Sequence, residues 1–264
     1  MENEAAIRLT IFLGLFACLA LLETLAPRRP LGGSKPRRWI TNWGFTLINT
    51  LALRALAVVL PFLAVGAAVD AQIQGWGLFN ILGLPLWLEF LLAILILDFA
   101  IWAQHLITHK IPLLWRLHRV HHADTDIDVT TAIRFHPVEI ALSMVLKIGL
   151  VYLLGPAALA VIVFEILLNG TAMFNHANLR LPLWLDRVLR LVLVTPDMHR
   201  VHHSVNRAEH DSNYGFALSI WDRVFGTYIA QPAEGHDKMA IGLEWQDERP
   251  SKLGWSLWLP FAKR

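Results

Sequence analysis

The stretch VEIALSMVLKIGLVYLLGPAALAVIVFEILLNGTAMF, residues 138–174, decides how the chain is built. It is predominantly apolar and far longer than the roughly 20 residues that cross about 30 Å of hydrocarbon. Gly155 and Pro156 stand near its middle, where proline can neither donate nor continue a helix, so the stretch reads as a helical hairpin with arms barely long enough to cross. Three further runs have spanning length: Ile7 to Ala26, Trp43 to Val69 and Leu84 to Gln104. The expected fold is all-α: a polytopic membrane helical bundle of three spanning helices plus the hairpin, with a histidine-rich helical cap.

Composition agrees. Of 264 residues 55% are hydrophobic and 17% charged, too apolar for an ordinary soluble domain. The first run has Glu2, Glu4 and Arg8 where a secretory leader would be basic, and no small-residue cleavage site, so it is expected to be a retained helix. One cysteine, Cys18, permits neither an intrachain disulfide nor a thiolate metal site. A net charge of +2 without a long basic tract gives no reason to expect a nucleic-acid partner.

Orientation follows from lysine and arginine. The link PRRPLGGSKPRR (27–38) holds five of them and the link around Asp70 to Asn80 none, which assigns the first to the cytoplasm. Two crossings later His105 reaches that same side, and the hairpin returns there at His176. With no repeat of domain length and no linker, residues 1–264 are expected to form one membrane-embedded domain.

The cap is defined by its histidines. HLITH (105–109) places His105 and His109 one turn apart on one helix face. HRVHH occurs twice, supplying His118, His121 and His122 and then His199, His202 and His203, each set at i, i+3 and i+4. Such a triplet projects to one side of a helix and can bind one metal or be divided between two. Eight imidazoles exceed the four ligands of zinc and suit two ions, although ligand type alone does not name the metal. His176 in FNHANL arrives from the hairpin as a ninth candidate. His136, before Pro137, has at least as good a structural reading, and His210 and His236 lie in polar surroundings that suggest solvation. A bound imidazole needs a partner for its outer nitrogen. Asp98, two turns before His105 inside apolar sequence, is the leading candidate, with Asp124, Asp126, Asp128, Glu139 and Asp211 also available. Glu23, Arg54, Glu89 and Glu165 fall in or near apolar runs, where snorkelling at helix ends accounts for some. Asn178, Asn213, Trp221, Phe225 and Tyr228 read first as packing or orienting groups.

HLITH, the two HRVHH boxes, TTAIRFHPVE, NHANL and NYGFALSIWDRVFGTY, in this order over residues 98–228, resemble the fatty acid hydroxylase superfamily, in particular its sterol desaturase-like members. The resemblance implies a membrane oxidoreductase, a monooxygenase of lipid metabolism, with two iron ions in a di-iron centre on the cytoplasmic side. Dioxygen would be the co-substrate. By motif position the iron ligands and catalytic residues would be His105, His109, His118, His121, His122, His176, His199, His202 and His203, with Asp98 behind them. A sterol-like, fatty acyl or other isoprenoid lipid would enter from the bilayer and be hydroxylated or desaturated. Electrons would come from an external ferredoxin-like or cytochrome-type donor. The chain departs from the pattern at Ala172, where members often carry a further histidine, and at Lys110, where the pterin-dependent ether-lipid oxygenases carry a glutamate.

Two other classes stay open on the residues alone. A histidine-bound zinc hydrolase could use metal-bound water, but the sequence has no H-E-x-x-H placement of a base. A metal transporter would hold ligands near the bilayer midplane, and a haem carrier needs only paired axial histidines on facing helices.

Overall fold

The computed structural model describes residues 3–262. Gly155 does break the long apolar stretch: at φ 66° it caps α7 (Pro137–Leu154), and α8 (Ala158–His176) begins just beyond Pro156. The tip leaves no room for a side chain. A Cβ on Gly77, itself at φ 96°, would lie 2.3 Å from the Gly155 nitrogen, so the two turns lock backbone to backbone. With 18 and 19 residues, the arms are about 27–28 Å long, close to the hydrocarbon thickness.

Five helical segments are long and apolar enough to cross a membrane. Besides the hairpin arms these are α1 (Glu4–Leu25), α2 (Lys35–Val59), which the chain extends through α3 (Ala64–Gln74) and α4 (Leu78–Leu82), and α5 (Leu86–Lys110). The second run differs from the expected Trp43 to Val69. It starts at Lys35, with Pro36 tolerated in the first turn, and stops at Val59 because Pro61 holds Leu60 extended (φ −97°, ψ 134°). Beyond Pro61 the chain turns into the separate α3, whose Ala64, Ala67 and Ala68 pack on Val151 of α7 and on Ala158 and Val161 of α8. Small residues allow that close approach. Long apolar side chains such as Leu9, Leu51, Leu86 and Leu153 remain exposed on the outer faces, as a hydrocarbon surround requires.

α8 sits at the centre, against α1, α3 and α5. At its carboxy-terminal end lies the helical cap: α6 (Pro112–His122), a 3-10 turn at Val129–Ile133, α9 (Leu183–Leu189), α10 (Pro196–His202) and short turns beyond. Among the described residues no strand forms, only isolated bridges. The aspartates of the 124–128 loop are buried and bind no histidine. Fully buried Arg38, from the basic link, donates to Asp124 at 2.6 and 2.9 Å and to Asp128 at 2.7 Å, while Asp126 accepts from Gly32 and Gly33 nitrogens. These pairs clamp the cap onto the start of α2.

Candidate metal centre

Each histidine box lies on a helix, as its spacing predicts, save that His203 stands at the cap just past the end of α10. α5 runs past Gln104 to Lys110, so His105 and His109 occupy its last turns. α6 restarts at Pro112, and α10 is opened by Thr195, whose hydroxyl accepts from the Met198 nitrogen, and by Pro196. The nine candidate histidines then fall into two buried groups: His105, His109, His118, His122 and His202, and His121, His176, His199 and His203. Within each group one ring nitrogen per residue lies within 4.8 Å of all the others.

The outer nitrogens fix the chemistry of the inner ones. His105 Nδ1 donates to the Tyr214 carbonyl at 2.7 Å, His118 Nδ1 to Glu139 Oε1 at 2.6 Å and His202 Nδ1 to the Ser212 carbonyl at 2.6 Å. In the second group His121 Nδ1 donates to the Arg134 carbonyl at 3.2 Å and His176 Nδ1 to the Ala172 carbonyl at 2.7 Å. An oxygen acceptor keeps the proton on Nδ1, so Nε2 of these five rings carries a lone pair. Those Nε2 atoms are crowded. His105 Nε2 lies 3.0 Å from those of both His118 and His202, and His176 Nε2 lies 3.1, 3.1 and 3.2 Å from those of His121, His199 and His203. Inward-facing lone pairs at such separations repel unless a cation stands among them. Among the described residues, both nitrogens of buried His122 and the Nδ1 atoms of His199 and His203 have no hydrogen-bond partner. Protonation does not relieve this: burial, then neighbouring imidazoles, push His121, His122, His199 and His203 well below the usual histidine range. Neutral, convergent imidazoles are the donor set of a transition-metal site.

Asp98 has a different task from the expected one. It accepts from Trp221 Nε1 at 2.8 Å and from the Leu218 nitrogen, and no histidine reaches it. Two turns on one helix span about 10 Å, beyond a carboxylate's reach to the ring of His105. Glu139 does what was expected of Asp98, from another helix, and Asp211 Oδ1 stands 3.4 Å from His109 Nδ1. Asp222 organises the carboxy-terminal motif. It accepts from the Tyr214 and Gly215 nitrogens, Trp102 Nε1 and Thr227, which fixes the Tyr214 carbonyl that holds His105.

His136 lies outside both groups and caps α7 by accepting from the Val138 nitrogen at 3.3 Å. His210 and His236 are buried rather than solvated: His210 stacks on Trp115, and His236 is 3.7 Å from Asp197. Asn178 braces Arg29 and Asn213 braces Met198 and Ile229. Trp221 and Phe225 pack on Phe99 of α5, and Phe225 also stacks on Trp102. Arg223 lies over the Tyr228 ring.

A cavity of about 350 Å³ opens among α1, α2, α5, α7 and α8. One end is formed by His105, His118 and Glu139, the other by Arg8, Lys147 and Glu165. Lys147 was not singled out from the sequence, although a lysine in the middle of a hairpin arm was a visible signal.

Fold and site together define a helical integral membrane protein built around a paired histidine cage. The chain belongs to the fatty acid hydroxylase family, whose pattern matches residues 90–227. It is 32% identical to the alkylglycerol monooxygenase of Homo sapiens over 57% of this chain and 32% of that protein. It is 26% identical to the ornithine lipid hydroxylase OlsE of Rhizobium tropici over 88% of this chain and 70% of the relative. With the cholesterol 25-hydroxylase of Rattus norvegicus it shares 28% identity over 54% of this chain and 47% of that one. The match thus spans only about a third of the human alkylglycerol monooxygenase. No solved structure matches the chain.

Proposed function

We propose that this protein is an oxygen-dependent membrane oxidoreductase that hydroxylates or desaturates a lipid, with two iron ions held by the nine grouped histidines. The observation that carries the reading is the convergence of lone-pair Nε2 atoms beside a cavity that opens among apolar helices. Bound iron would supply the activation of dioxygen that an unactivated C–H bond requires, chemistry beyond any side-chain acid or base. Hydroxylation would consume one O2, two electrons and two protons per C–H bond and release one water, the electrons coming from a ferredoxin-like or cytochrome-type carrier.

The chain's own part is geometry. Glu139 and the carbonyls of Tyr214, Ser212, Arg134 and Ala172 hold the rings with Nε2 inward, and the apolar helices keep bulk water from the substrate. Lipid would enter laterally: Thr50 is exposed at the cavity's edge, and α1 meets α2 through the rings of Phe12, Phe16, Trp39 and Trp43. Three spans plus the hairpin, one domain over 1–264 with its catalytic region at 98–228, and a cap on the cytoplasmic side complete the reading; the basic link beside the cap supports that side. The activities for which its relatives are named, on alkylglycerol, ornithine lipid and cholesterol, agree on lipid oxidation without fixing the substrate.

The test is metal analysis of purified protein together with product analysis on lipid extract. About two irons per chain and O2-dependent lipid oxidation, both lost in His202→Ala, are expected. One tightly held zinc with hydrolytic turnover, or full activity in His202→Ala, overturns the assignment.

A further inference from the structure

The end of the membrane cavity away from the histidines is polar, and lipid oxidation as such gives no reason for it. Arg8 of α1, Lys147 of α7 and Glu165 of α8 meet there. Glu165 Oε1 accepts from Lys147 Nζ at 2.7 Å, Oε2 accepts from Arg8, and the second amino group of Arg8 donates to Glu4 at 3.0 Å. Side-chain exposure is 7% for Glu165, 11% for Lys147 and 33% for Arg8, which places Arg8 on the rim. Three apolar helices thus each bring an ionisable group to one point, where such groups are costly and mark a functional site by default. Clasping the helices together does not explain them, because apolar packing does that as well as a buried ion pair or better. Asn49, 9% exposed, lines the same cavity; its Nδ2 donates to the Phe135 carbonyl at 3.1 Å while its buried Oδ1 has no partner.

Charge decides what this end can accept. Arg8 and Lys147 are balanced by Glu165 and Glu4, so a carboxylate or phosphate would bring an uncompensated charge into apolar surroundings, whereas a hydroxyl or amide brings none. A hydroxyl can also donate to Glu165 and accept from Lys147 or Arg8 at once. Distance is set by α7: Glu139 and Lys147 face the same cavity eight residues apart, about 12 Å, or about nine or ten carbons of extended chain.

We propose that the cavity selects an uncharged lipid whose hydroxyl or amide group is bound by Arg8, Lys147 and Glu165, and whose carbon about 12 Å away faces His105 and His118. The position of that carbon rests on the histidine cage being the oxidising centre; the choice of head group rests on the charged cluster alone.

The experiment is equilibrium binding to the full chain in detergent at pH 8, by displacement of a fluorescent long-chain alcohol, with hexadecanol and hexadecanoate as competitors. Wild type is expected to prefer the alcohol by about tenfold or more. Glu165→Gln gives the cluster one net positive charge and is expected to turn the preference toward the acid. Equal or acid-favoured binding by wild type overturns the proposal without any variant having to fold, and so does an unchanged preference in folded Glu165→Gln. An alcohol preference in protein that holds no iron and oxidises nothing sinks the proposed function and keeps the head-group site; lipid oxidation with no head-group preference does the reverse.

Discussion

Glu139 gives the sharpest handle on the two histidine groups, because it touches only one of them. Its Oε1 accepts from His118 Nδ1 at 2.6 Å, and His118 belongs with His105, His109, His122 and His202. Glu139→Leu leaves a buried N–H without an acceptor and frees the ring to turn; the lost charge-assisted bond is worth about 1.5–3 kcal/mol. Loss of such a support typically weakens a metal site by about 10–100-fold, or about 1.4–2.7 kcal/mol, so the two scales agree. Glu139→Gln keeps an oxygen in reach and should fall near the lower end. The other group is held by the Arg134 and Ala172 carbonyls, which neither variant touches. Metal per chain, measured during titration with a competing chelator, should therefore show one ion released about 10–100-fold more easily and the other retained as in wild type. Simultaneous loss of both ions, or release indistinguishable from wild type, would refute the division into two groups or the role of Glu139.

Acid should destabilise the metal-free protein. His121, His122, His199 and His203 are held below their usual range, so the unfolded chain takes up protons first as pH falls through about 6.5. Their contribution is complete above that value and is lost progressively below it; a thermal midpoint that stays flat between pH 8 and 5 contradicts the buried neutral cage. Arg38→Met strands Asp124 and Asp128 in the interior and should cost about 3–5 kcal/mol, seen as a lowered unfolding midpoint and faster proteolysis of the 124–128 loop. Gly77→Ala forces a side chain into the left-handed region and onto the Gly155 backbone, with an expected loss of about 1–3 kcal/mol or more; a wild-type midpoint would show that the hairpin tip is not packed as described.

What the sequence disclosed and what it hid divide along the reach of local pattern. Histidines at i, i+3 and i+4 lie on one helix face wherever the helix goes, so the boxes were legible, and Gly155 with Pro156 announced the hairpin. Pro61 was legible in principle, but the apolar run continues across it and hydropathy merged two helices into one. The Asp98 expectation failed on distance: seven residues share a helix face without sharing a contact. Glu139 reaches His118 only because α7 packs beside α6, a tertiary relation that no spacing encodes. His210 and His236 stand among charged neighbours in sequence, yet both are buried, His210 against Trp115 of α6 and His236 beside Asp197, contacts between distant stretches of chain that local sequence does not announce.

The repeated pentapeptide carries more structure than a count of ligands. In α6 the pair four apart, His118 and His122, faces the five-histidine group and His121 faces the other; in the second copy His199 and His203 face the four-histidine group and His202 crosses to the first. The two copies therefore exchange sites, as elements related by an approximate twofold would, and each helix bridges both groups. Under that relation the His105 and His109 pair of α5 should have a counterpart four apart on α8. His176 is one member, and the other position is Ala172, whose carbonyl holds the His176 ring and whose side borders the membrane cavity. The groups thus differ by one imidazole, and the difference falls on the cavity side. The cavity is lined by His105 and His118 of the five-histidine group and by no histidine of the other, so it is the complete group that faces the lipid side, and at Ala172 a methyl stands in the cavity wall where a further imidazole would project.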